Sequence, residues 1–372
     1  MKQLLLIFTV LAFISCQNQG KKYQIIGNVK EVPDSAIIDL YIQYEDMGQR
    51  ISSDTIINGQ FEFSDTLKTR PSKMMLLMRD MDNYYGSCQL WVDYEIIKVT
   101  GQGKFLSSWK IDSKVEEQIA LNNLVSKTKE LTVMRDSLFM IMMNNMNMSE
   151  QISNKIDSIS EIQFKIEFSA IEDSPNSQSA LEMLYQIAKF DTTIDKNIIK
   201  RVFDKMSPTF QNSLYGEGIM SIIKNKPIPE VGDEMVNFVA YDTKGREYNL
   251  SDFKGKYVLL DFWALACGPC IKAIPETREL YSRNNDILTV IGLNMITNED
   301  SWRETSKRDS ITWINLSDGK GTFAGVSADY GIQGTPTYIL INPEGVIVEK
   351  WMGYWPNVFV DKLSKHIEGL KK

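Results

Sequence analysis

The sequence predicts a multidomain chain with a mostly-β N-terminal portion, a helical middle region and a C-terminal α/β domain. Three observations carry this expectation. At 372 residues the chain is too long for one ordinary domain, and 43% hydrophobic residues suffice for more than one core. Alternating apolar residues and an Asn-Gly turn mark the first part, whereas the middle largely lacks Gly and Pro and carries apolar residues at helical intervals. In the last part an apolar run of strand formers, Tyr257-Val258-Leu259-Leu260-Asp261-Phe262, leads through Trp263 to Cys267-Gly268-Pro269-Cys270 and a helix-forming stretch.

Residues 1–15 read as an export signal. Lys2 supplies the positive start, and Leu4 to Ile14 is an apolar core of signal-peptide rather than membrane-spanning length. The core ends at Phe13-Ile14-Ser15-Cys16, which resembles a bacterial lipoprotein cleavage site. That resemblance implies a lipid on Cys16, holding the chain to a membrane through a tether over 16–22. An ordinary secretory signal is the alternative. Both readings place the mature chain outside the cytosol, where disulfides persist.

Residues 23–110 read as β. Ile38, Leu40, Ile42 and Tyr44 alternate, and Asn58-Gly59 between Thr55-Ile56-Ile57 and Phe61-Glu62-Phe63 signals a hairpin. The segment from Asp54 to Phe63 also resembles the β domain that accompanies many lipoprotein thioredoxin-like proteins. Cys88 is expected to be a buried structural thiol, with a redox partner for Cys267 as the sharper reading.

Residues 111–226 read as helical, with Val115, Ile119, Leu124, Leu131, Leu138 and Met142 recurring at roughly helical intervals. Met134, Met140, Met142, Met143, Met146 and Met148 suit an adaptable apolar face better than a copper site, since no His or Cys joins them. Ser174-Pro175-Asn176-Ser177 is expected to cap a helix from Gln178.

Lys226-Pro227-Ile228-Pro229 marks the linker into a domain over 227–372. There we expect a hairpin turning at Asp242-Thr243-Lys244-Gly245, a central strand at Tyr257 to Phe262, and another strand at Ile287 to Leu293. Two strands flank Asn342-Pro343-Glu344-Gly345, and a closing helix carries Val360, Leu363, Ile367 and Leu370 on one face.

Composition excludes several chemistries. The net charge is −7 and no basic stripe stands out, so nucleic acid is not an expected partner. The only histidine is His366, which excludes a Ser-His-Asp triad, a Cys-His protease pair and a multi-histidine metal site. Cys267 and Cys270 are the only close cysteine pair, and zinc would need further ligands that are not at hand. No cofactor beyond a redox-active dithiol is expected.

Two cysteines three apart at a strand-to-helix junction point to a redox pair. A helix start places them on one face, and the first sulfur sits over unpaired N–H groups at the positive end of the dipole. That favours the Cys267 thiolate, the nucleophile that attacks a client disulfide. Cys270, one turn deeper, then resolves the mixed disulfide and must lose a proton. Asp261 is the candidate acceptor if buried; a surface carboxylate at a strand end is the alternative.

Phe262-Trp263-Ala264 with Cys267-Gly268-Pro269-Cys270 resembles the active-site segment of the thioredoxin superfamily. Tyr330-Gly331-Ile332-Gln333-Gly334-Thr335-Pro336-Thr337 is similar to the segment holding its cis-proline. The family's usual Trp before the first cysteine is Ala266 here. The resemblance implies a thioredoxin fold, a central mixed sheet flanked by helices, with Pro336 cis and the Thr335 backbone facing the sulfurs. It implies a buried acid at Asp261, a kink at Pro275, and Trp263 beside the site, for which a plain core aromatic is the alternative. An insertion over Thr297 to Ala328 resembles the envelope-anchored TlpA/ResA-like thiol-disulfide oxidoreductases. Gly268-Pro269 resembles the reducing members, so the expected activity is reduction of client-protein disulfides, recharged by an unidentified upstream thiol donor. An oxidase or isomerase with the same motif, and an anchored binding protein using the fold as scaffold, are the alternatives. A peroxiredoxin is disfavoured, because Ala264 stands where that family has Thr or Ser.

Overall fold

The computed structural model of the chain describes residues 21–43, 48–79, 84–144, 149–191, 193–224, 226–265 and 267–371. The expected export signal, Cys16, Ala266, Tyr44, Met146 and Met148 lie outside the described residues.

Among the described residues the first part forms eight strands: β1 (Tyr23–Lys30), β2 (Ile37–Gln43), β3 (Gly48–Thr55), β4 (Gln60–Asp65), β5 (Ser72–Arg79), β6 (Tyr84–Val92), β7 (Ile96–Gln102) and β8 (Lys110–Asp112). They make two sheets, ordered β4-β1-β7-β8 and β3-β2-β5-β6. Alternation buries one face of each. Tyr23, Ile25, Phe61 and Phe63 from the first sheet meet Ile38, Leu40, Met74 and Leu76 from the second in one core.

The Asn58-Gly59 turn forms as expected, but its arms part. Both residues have positive φ, 51° and 73°, and Ile57 and Gln60 exchange two backbone hydrogen bonds. Beyond them β3 pairs with β2, and β4 pairs with β1. The expected hairpin is therefore a corner joining two layers. The reason is burial: Ile56 on one arm and Phe61 on the other both turn into the shared core.

The middle region is helical: α1 (Glu116–Val125), α2 (Lys129–Asn144), α3 (Ser149–Asp173), α4 (Gln178–Phe190), α5 (Lys196–Phe203), α6 (Pro208–Gln211) and α7 (Leu214–Lys224). Ser177 caps α4 by accepting from the Ala180 N–H at 3.0 Å. The expected apolar stripe is only partly buried. Leu124 is covered, but Ile119 is 46% exposed, because the core is built by Leu181, Leu184, Ile187, Val202 and Ile219 of α4, α5 and α7.

The last part contains β9 (Val239–Asp242), β10 (Glu247–Asn249), β11 (Tyr257–Trp263), α8 (Gly268–Asn284), β12 (Leu288–Asn294), α9 (Glu299–Arg308), β13 (Ile314–Ser317), α10 (Gly325–Asp329), β14 (Thr337–Ile341), β15 (Ile347–Met352) and α11 (Val358–Leu363). The sheet order is β10-β9-β13-β12-β11-β14-β15. β11 runs parallel to β12 and antiparallel to β14, so the sheet is mixed, with helices against it. Val258, Leu260 and Phe262 of β11 fill the core on one face, and Leu259 fills the core under α8 on the other. The inserted segment contributes a strand, β13, between β12 and β9. The closing helix is shorter than expected, ending at Leu363. Ile367 still reaches the core, from turns that include Gly369 at φ 77°.

Gly59→Ala should test the corner. A Cβ there would lie 2.1 Å from the Val29 carbonyl oxygen, whereas one at Gly103, also at positive φ, meets nothing within 4 Å. Both substitutions strain the backbone by about 1 kcal/mol, and Gly59→Ala should lose clearly more, roughly 2–3 kcal/mol, in urea unfolding. Equal losses would show that the Val29 contact is immaterial.

Candidate active site

β11 ends at Trp263 and α8 begins at Gly268, so the helix start lies just past the end of a strand packed on both faces. Cys267 is the N-cap of α8. Its sulfur accepts from the Cys270 N–H at 3.2 Å, one of the donors that a helix start leaves free. The two cysteines are joined by a disulfide with their Cα atoms 5.2 Å apart. Gly268 and Pro269 are exposed, Cys267 is half-buried and Cys270 is only 6% exposed. A partner sulfur can therefore reach the first cysteine and not the second. Pro275 lies inside α8, which continues past it.

Asp261 lies on β11, two residues from Trp263 and on the same strand face. It is 6% exposed, and among the described residues its buried Oδ1 has no hydrogen-bond partner. Burial alone pushes its pKa up to about 7. The structure thus places this carboxyl inside the sheet-helix layer and not at a wet strand end.

Trp263 packs with Cys270 and Trp302, with Cys267 at the margin of the same cluster. Its Nε1 donates to Asn315 Oδ1 at 3.0 Å, and Asn315 Nδ2 donates to Ser306 Oγ at 2.8 Å. Trp302 and Asn315 were not anticipated from the sequence. Both belong to the inserted segment, on α9 and β13. The available signal was a lone Trp in the polar run Glu299-Asp300-Ser301-Trp302-Arg303-Glu304, which marks the apolar anchor of a helix that buries Trp302 and Thr305.

The second motif arrives through sheet register. Phe262 pairs with Thr337, so the strand leading to the disulfide and the strand leaving Pro336 lie side by side. The Thr335–Pro336 bond is cis. Pro336 is buried and its carbonyl accepts from the Gly353 N–H at 2.8 Å. Thr335 is half-buried, and among the described residues no hydrogen bond engages its backbone.

Cys88 is not brought to this site. It packs half-buried against the sandwich core, and burial pushes its thiol up to about 12, far from thiolate at neutral pH. On α2, Met134 is exposed and Met140 and Met142 are half-buried. Among the described residues no cluster of His, Cys, Asp and Glu could hold a metal ion, and no helix is long and apolar enough to cross a membrane.

Comparison with known proteins locates similarity in the last part of the chain. A family model described as AhpC/TSA family matches residues 231–350. A thiol-disulfide oxidoreductase ResA of Bacillus cereus is 34% identical over 125 residues, 33% of this chain and 70% of that protein. Thioredoxin-like protein YneN of Bacillus subtilis is 31% identical over 125 residues, 33% of this chain and 71% of that protein. Among solved structures, the thioredoxin domain of a thiol-disulfide oxidoreductase from Bacteroides vulgatus is 31% identical and covers 37% of this chain and 99% of that one, with a TM-score of 0.35.

The buried carboxyl predicts a pH-dependent stability. Folded, Asp261 keeps its proton to about pH 7; unfolded, it ionises near 3.8. Between those values the folded state holds the extra proton, so this group's contribution falls as pH rises from about 4 to 7 and stays low above. Asp261→Asn should therefore stabilise the oxidised protein by about 2–4 kcal/mol near pH 8 and hardly at all near pH 4, read as urea midpoints. A difference independent of pH would mean that Asp261 ionises normally.

Proposed function

The chain belongs to the AhpC/TSA thioredoxin-like family as a relative of the ResA thiol-disulfide oxidoreductases, and from this we propose that it reduces disulfides of client proteins in the bacterial cell envelope. It is a thiol-disulfide oxidoreductase; the direction, the compartment and the residue roles are our reading. The observation that carries it is the paired placement of Cys267, reachable at the start of α8, and Cys270, enclosed one turn along.

In this reading the Cys267 thiolate attacks a client disulfide. One Cys267–client bond forms, and the displaced client sulfur leaves as a thiolate that takes a proton from water. Cys270 then gives its proton to Asp261 and attacks the Cys267 sulfur. The second client sulfur departs, the client is a dithiol, and the enzyme holds the Cys267–Cys270 disulfide present in this structure. An upstream thiol donor must reduce it again before the next cycle. The free Thr335 backbone beside cis-Pro336 suits an extended client segment adding as a strand, with Trp263 shaping the adjoining surface.

We place the protein on a membrane through a lipid on Cys16, supported by the sequence around that residue. Residues 227–372 then form the redox domain, while 23–110 and 111–226 position it or recruit clients. Their size supports this, since an anchor needs only a tether.

Two measurements test the reading. Insulin reduction by the full chain should disappear with Cys267→Ser, and Cys270→Ser should accumulate a client held on Cys267 through a mixed disulfide. Activity that survives Cys267→Ser removes that residue from the mechanism. The Cys267–Cys270 couple, equilibrated with glutathione, should lie near the reducing end, at about −270 mV; a value above about −180 mV would replace reductase with oxidase.

A further inference from the structure

The inserted segment reaches the cysteines through the side chain of Asn315 on β13, and its carboxamide is engaged at both ends. Oδ1 accepts from Trp263 Nε1 at 3.0 Å, and Nδ2 donates to Ser306 Oγ at 2.8 Å. Ser306 extends the chain by donating to the Trp302 carbonyl at 2.6 Å. Trp263 ends β11 and Trp302 lies on α9, so Asn315 ties together two tryptophans from separate elements. Those two form one buried cluster with Cys270, and Cys267 and Ile311 pack against it. Asn315 is itself buried.

β12 leaves room for this arrangement. A Cβ on Gly292 would lie 3.1 Å from Asn315 Oδ1 and 3.3 Å from Trp263 Nε1, closer than side-chain carbons ordinarily come. Glycine inside a central strand weakens it, and a close approach of other groups is one reason to find it there. The carboxamide is also the group this place requires. A carboxylate could accept from Trp263 but has no N–H for Ser306, whose own hydrogen goes to Trp302; an apolar side chain offers neither bond.

We propose that Asn315 is a positioning residue that locks the two tryptophans around Cys270, so that the Cys267 sulfur is the one partner Cys270 can reach. An open Cys270 thiolate would attack client disulfides itself and leave the client on the wrong sulfur. The lock adds no proton or electron step; it decides which sulfur the Cys270 thiolate meets. The proposal rests on the reading of Cys270 as the resolving thiol.

The test uses the reduced full chain carrying Cys267→Ser, since serine also caps a helix. Alkylation of Cys270 by iodoacetamide is timed by peptide mass spectrometry, with Cys88 of the sandwich as the reference thiol in the same sample. Asn315→Leu keeps the size of the side chain and removes both hydrogen bonds. It should speed Cys270 alkylation about tenfold and leave Cys88 unchanged. Gly292→Ala removes no polar group and presses on the same bond, and it carries the same expectation should Asn315→Leu not fold. With Trp263→Phe already present, Asn315→Leu should add clearly less, because the bond to the indole is gone. The acceleration should not grow in sub-denaturing urea, since a local opening exposes little surface; a variant that only weakens the fold would react faster as urea rises. An unchanged Cys270 rate, a rate that climbs steeply with urea, or an equal factor with and without the Trp263 indole overturns the proposal. A Cys270→Ser chain that captures no client overturns instead the reading of Cys270 as resolving thiol, and the alkylation rates judge the lock on their own.

Discussion

The site depends on one geometric constraint: a helix must begin where a strand, packed on both faces, runs out. β11 cannot continue as strand past Trp263 without leaving the sheet, and α8 cannot begin without satisfying its first N–H groups. Cys267 resolves both demands by capping the helix with its sulfur. The differing exposure of the two cysteines follows. The cap residue stands at the rim, and a residue three further on points back beneath the first turn, against Trp263 and Trp302. Chemical asymmetry between two identical side chains is therefore a product of backbone position.

Two buried aspartates show how surroundings sort identical groups. Asp39 on β2 is fully enclosed, but Arg79 donates to it at 2.7 Å, Ser53 also donates, and Arg50 lies 3.8 Å away. Burial alone would raise its pKa; these partners outweigh burial and hold it below the ordinary carboxylate range. It stays ionised and serves as a fixed tie within the second sheet. Asp261 lies deeper, among the described residues it has no such partner, and burial carries it up to about 7. A carboxyl poised near neutrality can accept and return a proton; one locked in an ion pair cannot.

Much of this was legible in the sequence because local chemistry writes local signals. The strand run, the Cys-Gly-Pro-Cys segment and the Ser177 cap each occupy a few consecutive residues, and the positions follow from their types. The Asn58-Gly59 turn was equally readable, but the sheets its arms join were not, because sheet membership is decided by distant core residues. The same limit hid Asn315, which is ordinary in its own segment and acquires meaning only through its packing against Trp263. Asp39 was hidden too, since its arginine partner lies on another strand.

The inserted segment explains why the last domain is not an independent appendage. β13 carries Asn315, which holds Trp263 beside the cysteines. Directly after β13, Asp318 accepts from the Lys320 and Val326 N–H groups and shapes the loop that delivers Phe323. Phe323 does not enter its own domain's core. It packs among Tyr185 and Tyr215 of the helical region, while Tyr185 donates to the Thr322 carbonyl at 3.2 Å and Lys320 pairs with Glu217. The helical region is in turn tied to the sandwich through Trp91, whose Nε1 donates to Ser179 Oγ at 3.1 Å, and through the Lys73–Glu182 pair. β13 thus holds Trp263 through Asn315, and the loop that follows it packs Phe323 into the helical core, so the last domain meets the helical region through packed side chains as well as through the linker.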